Sequence, residues 1–202
     1  MNTAIYIFDI LGIAVFAISG ALAAAEKRLD ILGFILFGTI TGIGGGTVRD
    51  LLLQTDQVFW IADTTYLWVC IIVSSLTWFF AGCFHSLRTV LLWADALGLA
   101  LFSVLGTMKA LQWQAPLIVA MVMGMMTASF GSLMRDGLLG RPPVLLEPDI
   151  YVTAALVGAG GYVLLSRFEP TQALAMPLAM FLAFLLRGLA IIYDLRLSKY
   201  GQ

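Results

Sequence analysis

DILGIAVFAISGALAAA (residues 9–25) and GTITGIGGGTVRDLLL (residues 38–53) recur further along the chain. An offset of 86 positions lays them over DALGLALFSVLGTMKAL (95–111) and GMMTASFGSLMRDGLL (124–139) without a gap. The identities are Asp9/Asp95, Gly12/Gly98, Phe16/Phe102 and Gly20/Gly106, then Gly38/Gly124, Thr41/Thr127, Gly45/Gly131, Arg49/Arg135 and Asp50/Asp136. Shared hydrophobicity alone matches Leu with Leu. It does not bring charges, glycines and a threonine into register, so the chain is an internal duplication.

The composition says where such a chain lives. Of 202 residues, 61% are hydrophobic and 11% charged, against about 25% charged in soluble domains. Too much apolar surface is present for a soluble globule to hide, which makes this an integral membrane protein. Two cysteines exclude a disulfide scaffold, and 11 basic residues against 12 acidic ones exclude nucleic-acid binding. A spanning helix needs about 20 mostly apolar residues. That length predicts an all-α protein with seven transmembrane helices, at 4–25, 32–54, 66–83, 90–111, 116–139, 150–166 and 173–193. Unbroken apolar runs exclude a membrane barrel. Ala21-Leu22-Ala23 resembles a signal-peptidase site, but no Lys or Arg precedes the apolar run and Asp9 lies inside it, so the first span is read as retained.

Basic residues set the orientation. With the N-terminus outside, Lys27, Arg28, Arg88, Arg141, Arg196 and Lys199 fall inside, and only Lys109 and Arg167 fall outside. This predicts an N-terminus outside and a C-terminus in the cytoplasm. Each repeat unit holds three spans. An odd number forces the second copy to enter the membrane in the opposite sense, giving a first repeat over 1–86, an inverted second over 87–169, and a seventh helix with its tail over 170–202. Inverted repeats are a common way to build a transport path, often from helices broken near the midplane.

On the second span Gly38, Thr41, Gly45 and Arg49 share one helical face, and Gly124, Thr127, Gly131 and Arg135 repeat it on the fifth. Asp9, Gly12, Phe16 and Gly20 do the same on the first span, as do Asp95, Gly98, Phe102 and Gly106 on the fourth. Most of these glycines serve close helix packing. Gly44-Gly45-Gly46 differs, since each glycine costs about 1 kcal/mol relative to Ala inside a helix. The run predicts a broken helix whose freed carbonyls line a pore. Phe130-Gly131-Ser132 predicts a milder break in the second copy.

Charges within a membrane mark function by default, and Asp9, Arg49, Asp50, Asp95, Arg135 and Asp136 qualify. Depth predicts ion pairs Asp9–Arg49 and Asp95–Arg135 near opposite faces, with Asp50 and Asp136 as competing partners. Pore or gate roles stand beside purely structural pairing. His85, the single histidine, predicts no metal site. No nucleophile set, phosphate loop or cofactor motif marks an enzyme. Arg187 reads as an inner-end anchor, and Trp60, Trp68 and Trp93 as interfacial belts. Ala154, Gly158 and Gly161 read as a packing face.

The segments DILGIAVFAISGALAA, GIGGGTVRDLLL, VFWIAD and DALGLALFSVLG together resemble the prokaryotic branch of the trimeric intracellular cation (TRIC) channels, which is built from two glycine-transporter-like domains. The resemblance covers nearly the whole chain, and GGGTVRD is its most specific part. It implies a homotrimer in membrane lipid, located in the inner membrane, each protomer conducting potassium ions between kinked spans 2 and 5. The glycine run of the family falls on Gly44, Gly45 and Gly46, followed by Arg49 and Asp50, and the second site falls on Gly131, Ser132, Arg135 and Asp136. Phe130 and Ser132 depart from relatives that repeat the glycines. A potassium channel is therefore the first expectation. A secondary transporter for a small zwitterion such as glycine, and a scaffold without conduction, are the others.

Overall fold

The structure, a computed structural model, describes residues 3–83, 86–143 and 150–196. His85 and Lys199 lie outside the described residues. The chain forms helices α1 (Thr3–Glu26), α2 (Ile31–Leu52), the single turn α3 (Phe59–Ala62), α4 (Thr65–Phe80), α5 (Leu87–Gln112), α6 (Leu117–Leu138), α7 (Val152–Leu165), the single turn α8 (Glu169–Gln172) and α9 (Ala175–Tyr193). The seven longer helices fall where the seven apolar runs predict them, and the single turns α3 and α8 lie between runs. Six of them are long and apolar enough to cross a membrane, counting α4 to Cys83. The sixth predicted span, α7, has 14 described helical residues, about 21 Å at 1.5 Å per residue.

Caps explain the boundaries. The Asp30 carboxylate accepts the Gly33 N–H at 2.8 Å to start α2, and the Ser86 hydroxyl accepts the Thr89 N–H at 3.3 Å to start α5. The C-terminal ends repeat at the same offset as the sequence. Arg28 after α1 and Gln114 after α5 both take left-handed backbone, with φ 55° and 56°. So do Gln54 after α2 and Gly140 after α6, with φ 51° and 63°. The following N–H groups close the same ring on the last turn: Thr55 on the Asp50 carbonyl at 3.1 Å, Arg141 on the Asp136 carbonyl at 2.9 Å. Side chains at three of these four positions accept a conformation that costs non-glycine residues about 1 kcal/mol or more.

Packing carries the duplication into three dimensions. Helices α1 and α5 are the most buried of the long helices and lie against each other, α2 and α4 pack on α1, and α6 and α7 pack on α5. The Phe16 and Phe102 rings stack between α1 and α5 with centroids 5.3 Å apart and planes 16° apart. Each ring sits over the other helix's glycine: a methyl on Gly12 would stand 3.0 Å from the Phe102 ring, and one on Gly98 would strike Phe16. Repeat partners thus exchange identical contacts across a pseudo-two-fold axis.

The same axis passes between α2 and α6. A methyl on Gly45 would collide with the Thr127 carbonyl oxygen, and one on Gly131 with the Thr41 carbonyl oxygen. This corrects the expectation of broken helices. Helix α2 runs without interruption through Gly44, Gly45 and Gly46, as α6 does through Phe130, Gly131 and Ser132. The glycines allow two backbones to touch, and a membrane helix keeps its hydrogen bonds because nothing else can satisfy them there.

Other expectations shift as well. The predicted loop 54–63 contains α3. Trp93 packs on Phe184, with centroids 5.9 Å apart, and on Gly188. Arg187 is buried on α9 beneath the Tyr151 ring, at 5.2 Å, instead of anchoring an interface. Ala154 and Gly158 do pack as expected, Gly158 against Ser103 and Ala183.

Candidate functional site

The six predicted charges collect into two clusters, one on each side of the α2–α6 crossing. The first lies where α1 begins and α2 and α5 end. The Asp50 carboxylate is its centre and is fully buried. It accepts the Arg49 guanidinium at 2.8 Å through both Nε and an NH2 group, Lys109 Nζ at 3.0 Å, and the Phe59 backbone N–H at 3.0 Å. The Phe59 ring stands over both cations, 5.7 Å from the Arg49 guanidinium carbon and 5.6 Å from Lys109 Nζ, a cation–π arrangement. Asp9 accepts the Tyr66 hydroxyl at 2.8 Å. A cavity of about 30 Å³ opens between Ile5, Asp9, Arg49, Leu105, Met108, Lys109 and Gln112, room for about two waters.

The second cluster lies where α5 begins and α6 ends. Arg135 is 1% exposed. Its NH1 donates to Asp95 at 2.8 Å and to the Ser19 hydroxyl at 2.6 Å, and its Nε and NH2 grip Asp136 at 2.8 and 3.1 Å. The Ser132 hydroxyl meets that of fully buried Tyr151 at 2.9 Å. Every donor on this guanidinium that faces a carboxylate is charge-assisted, the strongest class of hydrogen bond.

The expected pair Asp95–Arg135 therefore forms, together with its competitor Asp136. The expected pair Asp9–Arg49 does not: Arg49 turns to the adjacent Asp50, and Tyr66 supplies a donor to Asp9. One repeat position contributes to the difference. Lys109 occupies the place that Ala23 holds in the first copy, and its ammonium draws Asp50 into a two-cation arrangement unavailable to Asp136.

Comparisons with known proteins agree with this architecture. A family model described as "Glycine transporter" matches twice, over residues 6–82 and 92–167. A solved TRIC trimeric intracellular cation channel orthologue from Rhodobacter sphaeroides is 43% identical, covers 96% of this chain and 100% of its own, and superposes with a TM-score of 0.92. The chain belongs to the TRIC family.

Other TRIC relatives match over similar lengths. A prokaryotic TRIC channel solved in 0.5 M KCl gives a TM-score of 0.90 at 28% identity, covering 96% of this chain and 98% of its own. The UPF0126 inner membrane protein YadS of Escherichia coli K12 is 37% identical, covering 98% of this chain and 96% of its own. A UPF0126 membrane protein of Vibrio cholerae is 36% identical over 98% of this chain and 83% of its own.

Within this TRIC protein, sequence reasoning brought Asp50, Arg49, Asp95, Arg135 and Asp136 to the right neighbourhoods. It missed Lys109, Phe59, Tyr66, Ser19 and Tyr151. Lys109 carried a signal, being a lysine within an apolar run opposite an alanine in the other copy. Tyr66 and Tyr151 carried none, because they lie outside the aligned blocks.

Proposed function

We propose that this protein is a potassium-conducting cation channel of the inner membrane, a homotrimer with one path per protomer running along α2 and α6. The observation that carries the reading is the placement of two repeat-related charge clusters at the two ends of the α2–α6 crossing. Arginines look unsuited to a cation path. Here Arg135 is held by Asp95 and Asp136, and Arg49 and Lys109 share Asp50 with the Asp9 carboxylate beside them, so the path meets clusters in which carboxylates offset the positive charge. The Asp9 carboxylate lines the cavity at the first cluster and offers a cation its first ligand. Between the clusters Thr41, Gly45, Thr127 and Gly131 bring the two backbones together, so conduction requires α2 and α6 to part. This arrangement is the shut state.

The proposal includes seven spans, with α7 as the sixth because it packs on α5, α6 and α9. It keeps the repeats at 1–86 and 87–169, with 170–202 as the added helix and tail. It also places the start of α1 outside. Gly44, Gly46, Phe130 and Ser132 flank the crossing and set how far it opens.

The test is flux from liposomes holding the purified protein. A potassium gradient should collapse through the protein, and glycine should not accumulate against its own gradient. Saturable, ion-coupled glycine uptake with no potassium leak would instead identify a carrier.

A further inference from the structure

We propose that the segment following α2, residues 53–64, is a movable cover over the first charge cluster, and that Gly46 is the seat on which Phe59 closes it. This rests on the channel reading only for its physiological consequence; the cover itself is a statement about geometry.

The segment folds back over the end of α2 and is held mostly by single polar bonds. Phe59 N–H donates to Asp50, Trp60 Nε1 donates to the Thr47 hydroxyl at 2.9 Å, Thr55 N–H donates to the Asp50 carbonyl at 3.1 Å, and the Tyr6 hydroxyl donates to Asp63 at 2.9 Å, while Phe59 and Trp60 rest half-buried on the core. No residue of α3 is fully buried. Elements held by a few polar bonds and little buried apolar area open at low cost. The Phe59 ring is what the cover brings to the site. It stands over Arg49 and Lys109 and meets the Tyr66 ring edge-on at 4.9 Å. The ring thus covers one side of the Arg49 and Lys109 cations and of the buried Asp50 they hold, while Lys109 stays partly exposed.

Gly46 makes that position possible. A methyl there would stand 2.6 Å from the ring's Cε1 atom, closer than two carbons approach, so any side chain displaces the ring. The third glycine of the run therefore has a different task from Gly45, which meets Thr127. At the position equivalent to Gly46 the other repeat carries Ser132, which turns its hydroxyl to Tyr151 at 2.9 Å.

The test uses the purified full chain in detergent, with Cys70→Ala and Cys83→Ser removing the native thiols and Met108→Cys placing one thiol in the cavity. Its reaction rate with a small cationic methanethiosulfonate reports access. Phe59→Ala and Gly46→Ala should each raise that rate at least fivefold, and the double variant should raise it no further. Thr47→Val, which removes the acceptor of Trp60 without touching the ring, should raise it as well. Rates within twofold of the parent in variants that remain folded would overturn the cover. If Phe59→Ala fails to fold, unchanged rates in Thr47→Val and Gly46→Ala overturn it equally. Potassium flux, read separately in liposomes, should rise in Phe59→Ala. Faster labelling in a protein that never conducts would leave the cover standing and remove the channel reading. Conduction with unchanged labelling would do the reverse.

Discussion

Arg135 offers the sharpest energetic test of the buried charges. It is 1% exposed and holds two carboxylates at once, Asp95 at 2.8 Å and Asp136 at 2.8 Å. Arg135→Gln leaves both carboxylates buried with no cation between them. Breaking one buried pair this way costs about 3–5 kcal/mol, and two stranded carboxylates put the loss at the upper end or beyond. Asp95→Asn is milder, because Arg135 keeps Asp136 and Ser19. It loses one charged hydrogen bond, about 1.5–3 kcal/mol. The double variant should destabilise less than the sum, with a coupling of about 1–3 kcal/mol. The parallel cycle of Asp9→Asn with Arg49→Gln should give a coupling below about 1 kcal/mol, since Arg49 is held by Asp50 and Asp9 by Tyr66. Reversible unfolding in mixed micelles measures the parent, the four single variants and the two double variants. Equal couplings in the two cycles, or a loss under about 1 kcal/mol for Arg135→Gln, would refute the assignment of partners.

Three further outcomes follow from single contacts. Gly45→Ala drives a methyl into the Thr127 carbonyl and should cost about 3 kcal/mol or more, whereas Gly44→Ala meets the flexible Met134 sulfur at 3.0 Å and the Gly131 Cα at an ordinary 3.6 Å and should stay within about 1 kcal/mol, both read by thermal unfolding in detergent. Tyr66→Phe removes the donor to Asp9 and should cost about 0.5–1.5 kcal/mol, a difference that vanishes in an Asp9→Leu background with no acceptor, as a four-variant cycle would show. Asp63, outside the spans, has its carboxyl held below the usual carboxylate value by hydrogen bonds from Thr65 and Tyr6. A depressed folded value stabilises above the unfolded value, near 3.9, and the gain is lost as pH falls through the folded one; the stability gap between the parent and Asp63→Asn should be flat above about pH 5 and close below pH 4.

Much of the fold was legible because hydrophobic length and a gapless repeat are both strong signals. Aligning Asp9, Gly12, Phe16 and Gly20 with their copies marks the residues that meet between α1 and α5, although which helices they join emerges only in the fold, as it does for Thr41 and Gly45 between α2 and α6. What the pattern misjudged was the chemistry of the glycine run. A propensity scale measured in water treats three glycines as a break, but in a membrane the lost hydrogen bonds cost more than the glycines do. The identity of each arginine's partner was also out of reach. Arg49 and Arg135 occupy equivalent positions with the same aspartate neighbours, and among the described residues Lys109, Tyr66 and the folded-back Phe59 at one site, with Ser19 and Tyr151 at the other, tell them apart. Arg187 was misplaced for a related reason: its position in the span suggests an interface, and Tyr151 gives it a buried face instead.

Single-channel recording from the purified protein in a planar bilayer, under a potassium chloride gradient, tests the central claim most directly. The account predicts discrete unitary currents that reverse near the potassium equilibrium potential. Their absence, or reversal near the chloride potential, would contradict it.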